Sequence, residues 1–255
     1  MDVDWTPPVL LNGMSHTSLS MESEAHAVVV GGVAYGDRSR IVRLLTRAHG
    51  CIPLWVANAG KQKALWHPMA HLEISDLKPG KGQGLWMAKE CRRAAPQLIF
   101  RRSPERSAVG FFVAEVLSAC LEEGAPAEDV YALTLKALDW LETEEQVPWI
   151  HVKFMAHLVE ALGMMPPLDD DHGMWLDVAT GDYVDPEHAT KSSLSPEVVS
   201  LLRQIPGMNF GSLQRLPWTR DQRKPLVLGA YRYVQAQLGK QRELKSYDVL
   251  EALFA

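Results

Sequence analysis

Cysteine is scarce in this sequence. Cys51, Cys91 and Cys120 are the only three among 255 residues, they lie far apart, and no Cys-x-x-Cys pair exists. That excludes a disulfide framework and a cysteine-built zinc site, and it fits a reducing cytoplasm. No apolar run approaches the roughly 18–20 residues that a bilayer-spanning helix needs. The N-terminus lacks the basic start and sustained apolar core of a secretory signal. Also missing are Gly-x-Ser-x-Gly, the P-loop and the Rossmann glycine pattern; "GKGQG" (80–84) lacks the Lys-Ser/Thr ending of a Walker motif. Nothing in the sequence assembles a nucleophile, a base and an oxyanion donor, so no enzyme and no cofactor are expected.

What is present is an uneven distribution of charge. The net value of −5 conceals four blocks. Residues 1–25 hold four acids and no bases; residues 26–106 hold 14 bases against 5 acids; residues 107–189 hold 2 against 17; residues 190–255 hold 10 against 5. A basic block beside a strongly acidic one points to a polyanion-binding part and a part that stays away from the polyanion. Hydrophobic content of 47% is enough for a buried core.

Residues 1–23 are rich in Pro, Ser and Thr and without periodicity, which predicts a disordered leader, with Met21 an alternative start. From His26 the pattern is that of strands. "HAVVVGGVAY" is a β-branched run whose Gly31-Gly32 suggests a bulge. In "SRIVRLLT" and "CIPLWV" the even-numbered residues form an apolar face, so opposed positions of the hairpin must sum to an even number. A three-residue loop, Ala48-His49-Gly50, meets that condition and sets Arg47 opposite Cys51, Leu45 opposite Pro53 and Arg43 opposite Trp55. The second face would then carry Arg43, Arg47 and Trp55 outward. Two further strands are expected at 69–78 and 84–94. Five short strands in about 70 residues suggest a small barrel, with an OB-fold leading and an Sm-like or SH3-like barrel close behind.

From Ser103 the period becomes helical. Ser103-Pro104 opens a helix closed by Gly124; others follow over 125–145, 148–163, 195–205, 219–239 and 246–254, with an irregular acidic insert at 164–194. The fold class is therefore α+β. A leader (1–23) precedes an OB-fold β-barrel domain (24–102), and an all-α helical domain (103–255) follows.

Single-stranded nucleic acid is held by cations on phosphates and aromatic rings under bases, a stacked base contributing roughly 1–3 kcal/mol. The barrel supplies Arg38, Arg43, Arg47, Lys61, Lys63, Lys81, Arg92 and Arg93 as phosphate contacts and Trp55 as the platform. Trp66 and Trp86 fit a core role as well. In the C-terminal third, Arg215, Trp218, Arg223 and Arg232 would suit an acidic peptide ending in an apolar residue, though plain helix packing explains the same pattern. The run Asp169-Asp170-Asp171-His172 lacks EF-hand spacing and is expected to be a solvated loop, and no metal site is expected.

Three stretches carry a family likeness. "YGDRSRIVRLLTRAHG" (35–50), "FMAHLVEALGMMPPL" (154–168) and "LKSYDVLEALF" (244–254) resemble, in order and spacing, the recombination mediator family RecO, the last in its Bacteroidetes form. The resemblance implies an OB-fold followed by a helical domain, and action in the RecF pathway of DNA repair. It implies binding and annealing of single- and double-stranded DNA, and a cytoplasmic, nucleoid-associated location. Its implied partners are RecR, the acidic C-terminal tail of single-stranded DNA-binding protein and, indirectly, RecA. Many family members carry four zinc-binding cysteines after the Leu-Gly-x-x-Pro stretch. Here that region has none, so a zinc-free loop held by Trp175, Leu176, Val178 and Tyr183 is expected instead. Two rivals remain at this point: an adaptor whose barrel and basic C-terminal helices bind acidic peptides, and a hydrolase using the carboxylates of 169–187.

Overall fold

The computed structural model describes residues 24–81, 84–95, 103–167, 173–218 and 220–254. The expected leader and the aspartate run at 169–171 lie outside the described residues.

The N-terminal part is a seven-stranded sheet: β1 (Glu24–Tyr35), β2 (Ser39–Thr46), β3 (Gly50–Val56), β4 (His71–Ser75), β5 (Lys78–Pro79), β6 (Trp86–Met87) and β7 (Glu90–Arg93). A 3-10 segment, Ala59–Trp66, separates β3 from β4. The strand order is β5-β6-β3-β2-β1-β4-β7. β6 and β7 are consecutive in the chain yet lie near opposite ends of that order, which requires the sheet to curl into a half-barrel of the OB type. The stretch expected as one strand over 84–94 is thus two, broken at Ala88-Lys89 so that the chain can change edges. β6 meets β3 in a parallel pair through Leu54 and Trp86.

The even-numbered face is the barrel interior. Val42, Leu44, Ile52 and Leu54 pack there with Ala27, Val29 and the Trp66 ring. Parity therefore holds, but the register does not. Arg43 lies opposite Pro53, Leu45 opposite Cys51 and Thr46 opposite Gly50, two residues short of the expected pairing. Thr46 decides this: its Oγ1 donates to the Gly50 carbonyl (3.0 Å) and accepts from the His49 N–H (3.1 Å), closing the loop over Arg47-Ala48-His49. Gly50 adopts φ +59°, and a Cβ there would meet the Ala125 carbonyl oxygen at 1.8 Å, so only glycine fits. β1 carries the expected bulge, at Val29–Gly31.

The second part is helical: α1 (Pro104–Cys120), α2 (Glu128–Thr143), α3 (Val147–Ala161), α4 (Pro196–Gln204), α5 (Phe210–Gln214), α6 (Arg220–Gln237) and α7 (Ser246–Leu253). Ser103 and Ser195 cap α1 and α4, each hydroxyl accepting from a backbone N–H three residues on, with proline at the first helical position. α3 is the central helix, apolar nearly all round, and buries Phe154, Met155 and Leu158 completely. Pro225 lies inside α6.

The odd-numbered sheet face is not a solvent face. Leu45 and Cys51, with Val28, Val30 and Met69, join one continuous core with α1 to α4, α6 and α7. The half-barrel is fused to the helical body through its outer surface.

Candidate nucleic-acid interface

The fusion redirects the arginines of β2. Arg43 projects from the odd face into the junction, where its guanidinium donates to the Ser118 carbonyl and, at 2.8 Å, to the Leu121 carbonyl. The end of α1 leaves carbonyls without intrahelical donors and carries partial negative charge, so a half-buried cation is well placed there. Lys240 adds a bond to the Cys120 carbonyl (2.8 Å) and Arg242 one to Ser118 (3.4 Å). The expectation of Arg43 as an outward phosphate contact is therefore corrected: it is an internal helix cap. Arg47 stays exposed at the hairpin tip and pairs with Glu128 at the start of α2. Trp55 is half-buried and belongs to neither apolar core.

The cations that do gather lie at the barrel mouth. The β1–β2 turn and the start of the 3-10 segment enclose an open cavity of about 450 Å³ lined by Arg38, Arg40 and Lys63, with Asp37 the one acid. The Ala59 N–H donates to the Arg38 carbonyl (3.0 Å) and holds the two loops together. Arg40 Nε, like Arg43 Nε, is buried with no hydrogen-bond partner among the described residues, while Arg40 Nη2 reaches the Gly32 carbonyl only at 3.5 Å. Tyr35, 49% exposed, stands on the same turn. Arg40 and Tyr35 were missed by sequence reasoning because alternation puts Arg40 on the apolar face. The available signal was its position: it precedes the first buried residue of β2, beyond the end of the barrel core.

The remaining expected contacts are dispersed. Lys61 belongs to the 3-10 segment, and Lys81 is exposed beyond β5. Arg92 pairs with Glu73 across β4–β7 (2.5 Å), and Arg93 donates to the Ala64 carbonyl (2.6 Å). Trp66 is a core residue, and Trp86 is half-buried with its ring 4.7 Å from His49.

The four residues expected to form a peptide pocket do not form one group. Arg223 stacks over Trp149 at 4.9 Å and donates to the Pro148 carbonyl; Trp218 packs against the helical core; Arg215 is exposed. Arg232, nine residues beyond Arg223 on α6, falls on the opposite side of that helix at about 100° per residue. It lines a different cavity.

The segment that follows α3 is a small hairpin, β8 (Trp175–Leu176) and β9 (Tyr183–Val184). Leu176 and Val178 are buried, Tyr183 packs on the helical core and donates from its hydroxyl to the Pro167 carbonyl (2.8 Å), and Asp177 Oδ1 accepts from the Ala179 and Thr180 N–H groups. A four-thiolate zinc site does not fit here: an apolar plug and an Asx turn stand where thiolates would be needed. Among the described residues the one group of three possible metal ligands, Asp185, Glu187 and His188, is wholly exposed. No helix among the described residues is long and apolar enough to cross a membrane.

Fold and site together define an OB-type half-barrel with a cationic mouth, fused by its outer face to a helical bundle. The family to which such a chain belongs follows from two matches: residues 21–92 fit the family model for "Recombination protein O N terminal" and residues 101–248 the one for "Recombination protein O C terminal". The chain belongs to the RecO family. Relatives named DNA repair protein RecO include one from Bacteroides fragilis, 28% identical over 243 residues and covering 89% of this chain and 97% of the relative. One from Flavobacterium psychrophilum is 24% identical and covers 92% of this chain and all of the relative. One from Xanthomonas euvesicatoria is 25% identical over 67% of this chain and 72% of its own length.

Proposed function

We propose that this protein is a non-enzymatic, DNA-binding recombination mediator acting in repair at the nucleoid. The observation that carries the reading is the open cavity where Arg38, Arg40 and Lys63 converge, with Asp37 the one acid in its lining. A phosphate would be met by the three cationic side chains, and Trp55 and Tyr35 would offer rings to bases on either side of β2. Lys61, Lys81, Arg92 and Arg93 are proposed as further, separate phosphate contacts. Arg47 can join them, because an exposed ion pair such as Arg47–Glu128 contributes at most about 1 kcal/mol and a phosphate competes with it readily. Arg43 has no part in this contact.

Family membership supports the finer roles: annealing, pairing with RecR, engagement of the acidic tail of single-stranded DNA-binding protein, and help in loading RecA in the RecF pathway. Arg215 at the end of α5, Trp218 in the connection that follows and Arg223 of α6 are proposed for the tail. The division near residue 103 is proposed as one of function. It does not separate two independent folding units, because Val28, Val30, Leu45, Cys51 and Met69 would be stripped of their packing in an isolated barrel.

A salt-dependent titration with a labelled single strand tests the reading. Log affinity should fall with log salt at about 0.7 per phosphate contact. Affinity insensitive to salt, or carried by an acidic peptide and not by DNA, would instead favour the adaptor.

A further inference from the structure

The helical body carries a second gathering of cations. Arg232 of α6, with Lys240 and Arg242 of the segment after it, lines an open cavity of about 760 Å³ walled on the far side by Ala179 at the tip of the β8–β9 hairpin; Glu243 is the one acid in the lining. Arg242 and Glu243 also line a neighbouring groove of about 410 Å³ that reaches Val30 of β1 and Phe111 of α1. The two cavities therefore adjoin, and together they run from the helical body to the outer face of the sheet at β1, with Glu115 a second acid in the groove. Arg43 of β2 and Arg242 donate to the same Ser118 carbonyl, which fixes the position of the cationic segment relative to the barrel.

We propose that the Arg232–Lys240–Arg242 cavity is a second contact for the phosphodiester backbone, taking up a single strand whose other part lies at the barrel mouth. The inference rests on the DNA-binding reading above. The chemistry of the lining selects this ligand over an acidic peptide. A peptide ending in an apolar residue needs a greasy socket, and apart from three cations against the one acid Glu243 this cavity offers Ala179, Ala236, Gly239, Tyr231 and two glutamines. Tyr231 is 4% exposed with its hydroxyl tied to the Arg242 carbonyl, so its ring is no socket either. A phosphate chain needs only cations and hydrogen-bond donors. Arg232 suits the role: it is exposed, and its one hydrogen bond among the described residues runs to the Leu228 carbonyl of its own helix.

Two linked contacts make affinity depend on strand length, because binding at the first raises the effective concentration at the second. The test is fluorescence anisotropy on the full chain with labelled oligothymidylates of about 10 nucleotides, within the site of one OB-fold, and of about 40, well beyond it. Arg232→Glu should weaken the longer strand about fivefold, flatten its salt dependence by about 0.7 in slope and leave the shorter strand and the Tm unchanged. Arg232→Lys should restore most of the loss. Unchanged affinity of Arg232→Glu for the longer strand, or weakened binding of an acidic peptide in place of DNA, overturns the proposal. The double variant Arg38→Glu, Lys63→Glu separates the two levels: it should weaken both lengths, and if it weakens neither, the DNA-binding reading itself fails.

Discussion

Arg43 and Arg40 are three residues apart on one strand and have opposite fates. Arg43 points to the odd face, where it meets the carbonyls that end α1; Arg40 points to the even face at the open end of the barrel, where its one side-chain hydrogen bond among the described residues is the 3.5 Å contact with the Gly32 carbonyl. Arg43→Ala would leave the Leu121 carbonyl without its donor in a half-buried junction, a loss of roughly 1.5–3 kcal/mol for a charged hydrogen bond. Its expected signature is a lower urea midpoint with strand affinity per folded molecule unchanged. Arg40→Ala removes a guanidinium that has no strong internal partner, so thermal stability should stay close to wild type while single-strand affinity drops several-fold. If the two outcomes were exchanged, with Arg43→Ala abolishing binding in a fully stable protein, the assignment of the two arginines would be reversed.

At the level of the element, the sheet was legible in the alternation of β2 and β3 because one face is uniformly apolar. Parity fixed which residues share a face. It could not fix the register, since pairings two residues apart have the same parity; the Thr46 hydroxyl and the contact of Gly50 with Ala125 made that choice. Nor could it show that the odd face packs against helices. Leu45 and Cys51 are apolar on both sides of Arg43, a mixed pattern that fits an interface as well as a solvated basic face. The caps of α1 and α4 were readable from Ser-Pro. The gathering of Arg38 with Lys63 was not, because it depends on the 3-10 segment folding back onto the β1–β2 turn. The β8–β9 segment was expected only as a zinc-free loop, and only through the family resemblance; of its four expected anchors Leu176, Val178 and Tyr183 pack on the helical core, while Trp175 is half-buried outside both cores. Its independence of metal can be measured. A strong chelator should leave the Tm unchanged, whereas Leu176→Ala should cost about 2–5 kcal/mol as a buried leucine truncation. A Tm that fell on chelation would show that a metal contributes to this segment after all.

At the level of the whole molecule, the core that joins the outer face of the sheet to the helices means that groups buried in the helical body influence the stability of the barrel as well. His151 is buried beside Phe112, Tyr247 and Phe254; burial, reinforced by the nearby Arg223, pushes it down to about 3. His157 is lowered to about 4 by burial and by Lys153 and Lys136. Both are neutral in the folded state at every pH above those values, while in the unfolded chain they take up protons near the ordinary histidine value of about 6.5. The unfolded state therefore binds more protons between about pH 4 and 6.5, so stability falls as pH drops through that window and is fully present above it. The slope reaches about 1.4 kcal/mol per pH unit for each such histidine. Because the core is shared, barrel and bundle should lose stability together. Urea unfolding at about pH 7 and about pH 5, followed by tryptophan fluorescence and by far-ultraviolet circular dichroism, should give one coincident transition whose midpoint is lower at the acid pH. In His151→Phe, which keeps a ring in the aromatic stack and cannot titrate, that pH dependence should shrink by about half. An acid-induced transition in which strands and helices separate would contradict the shared core. An unaltered pH slope in His151→Phe would mean that the buried imidazole is not what couples this fold to protons.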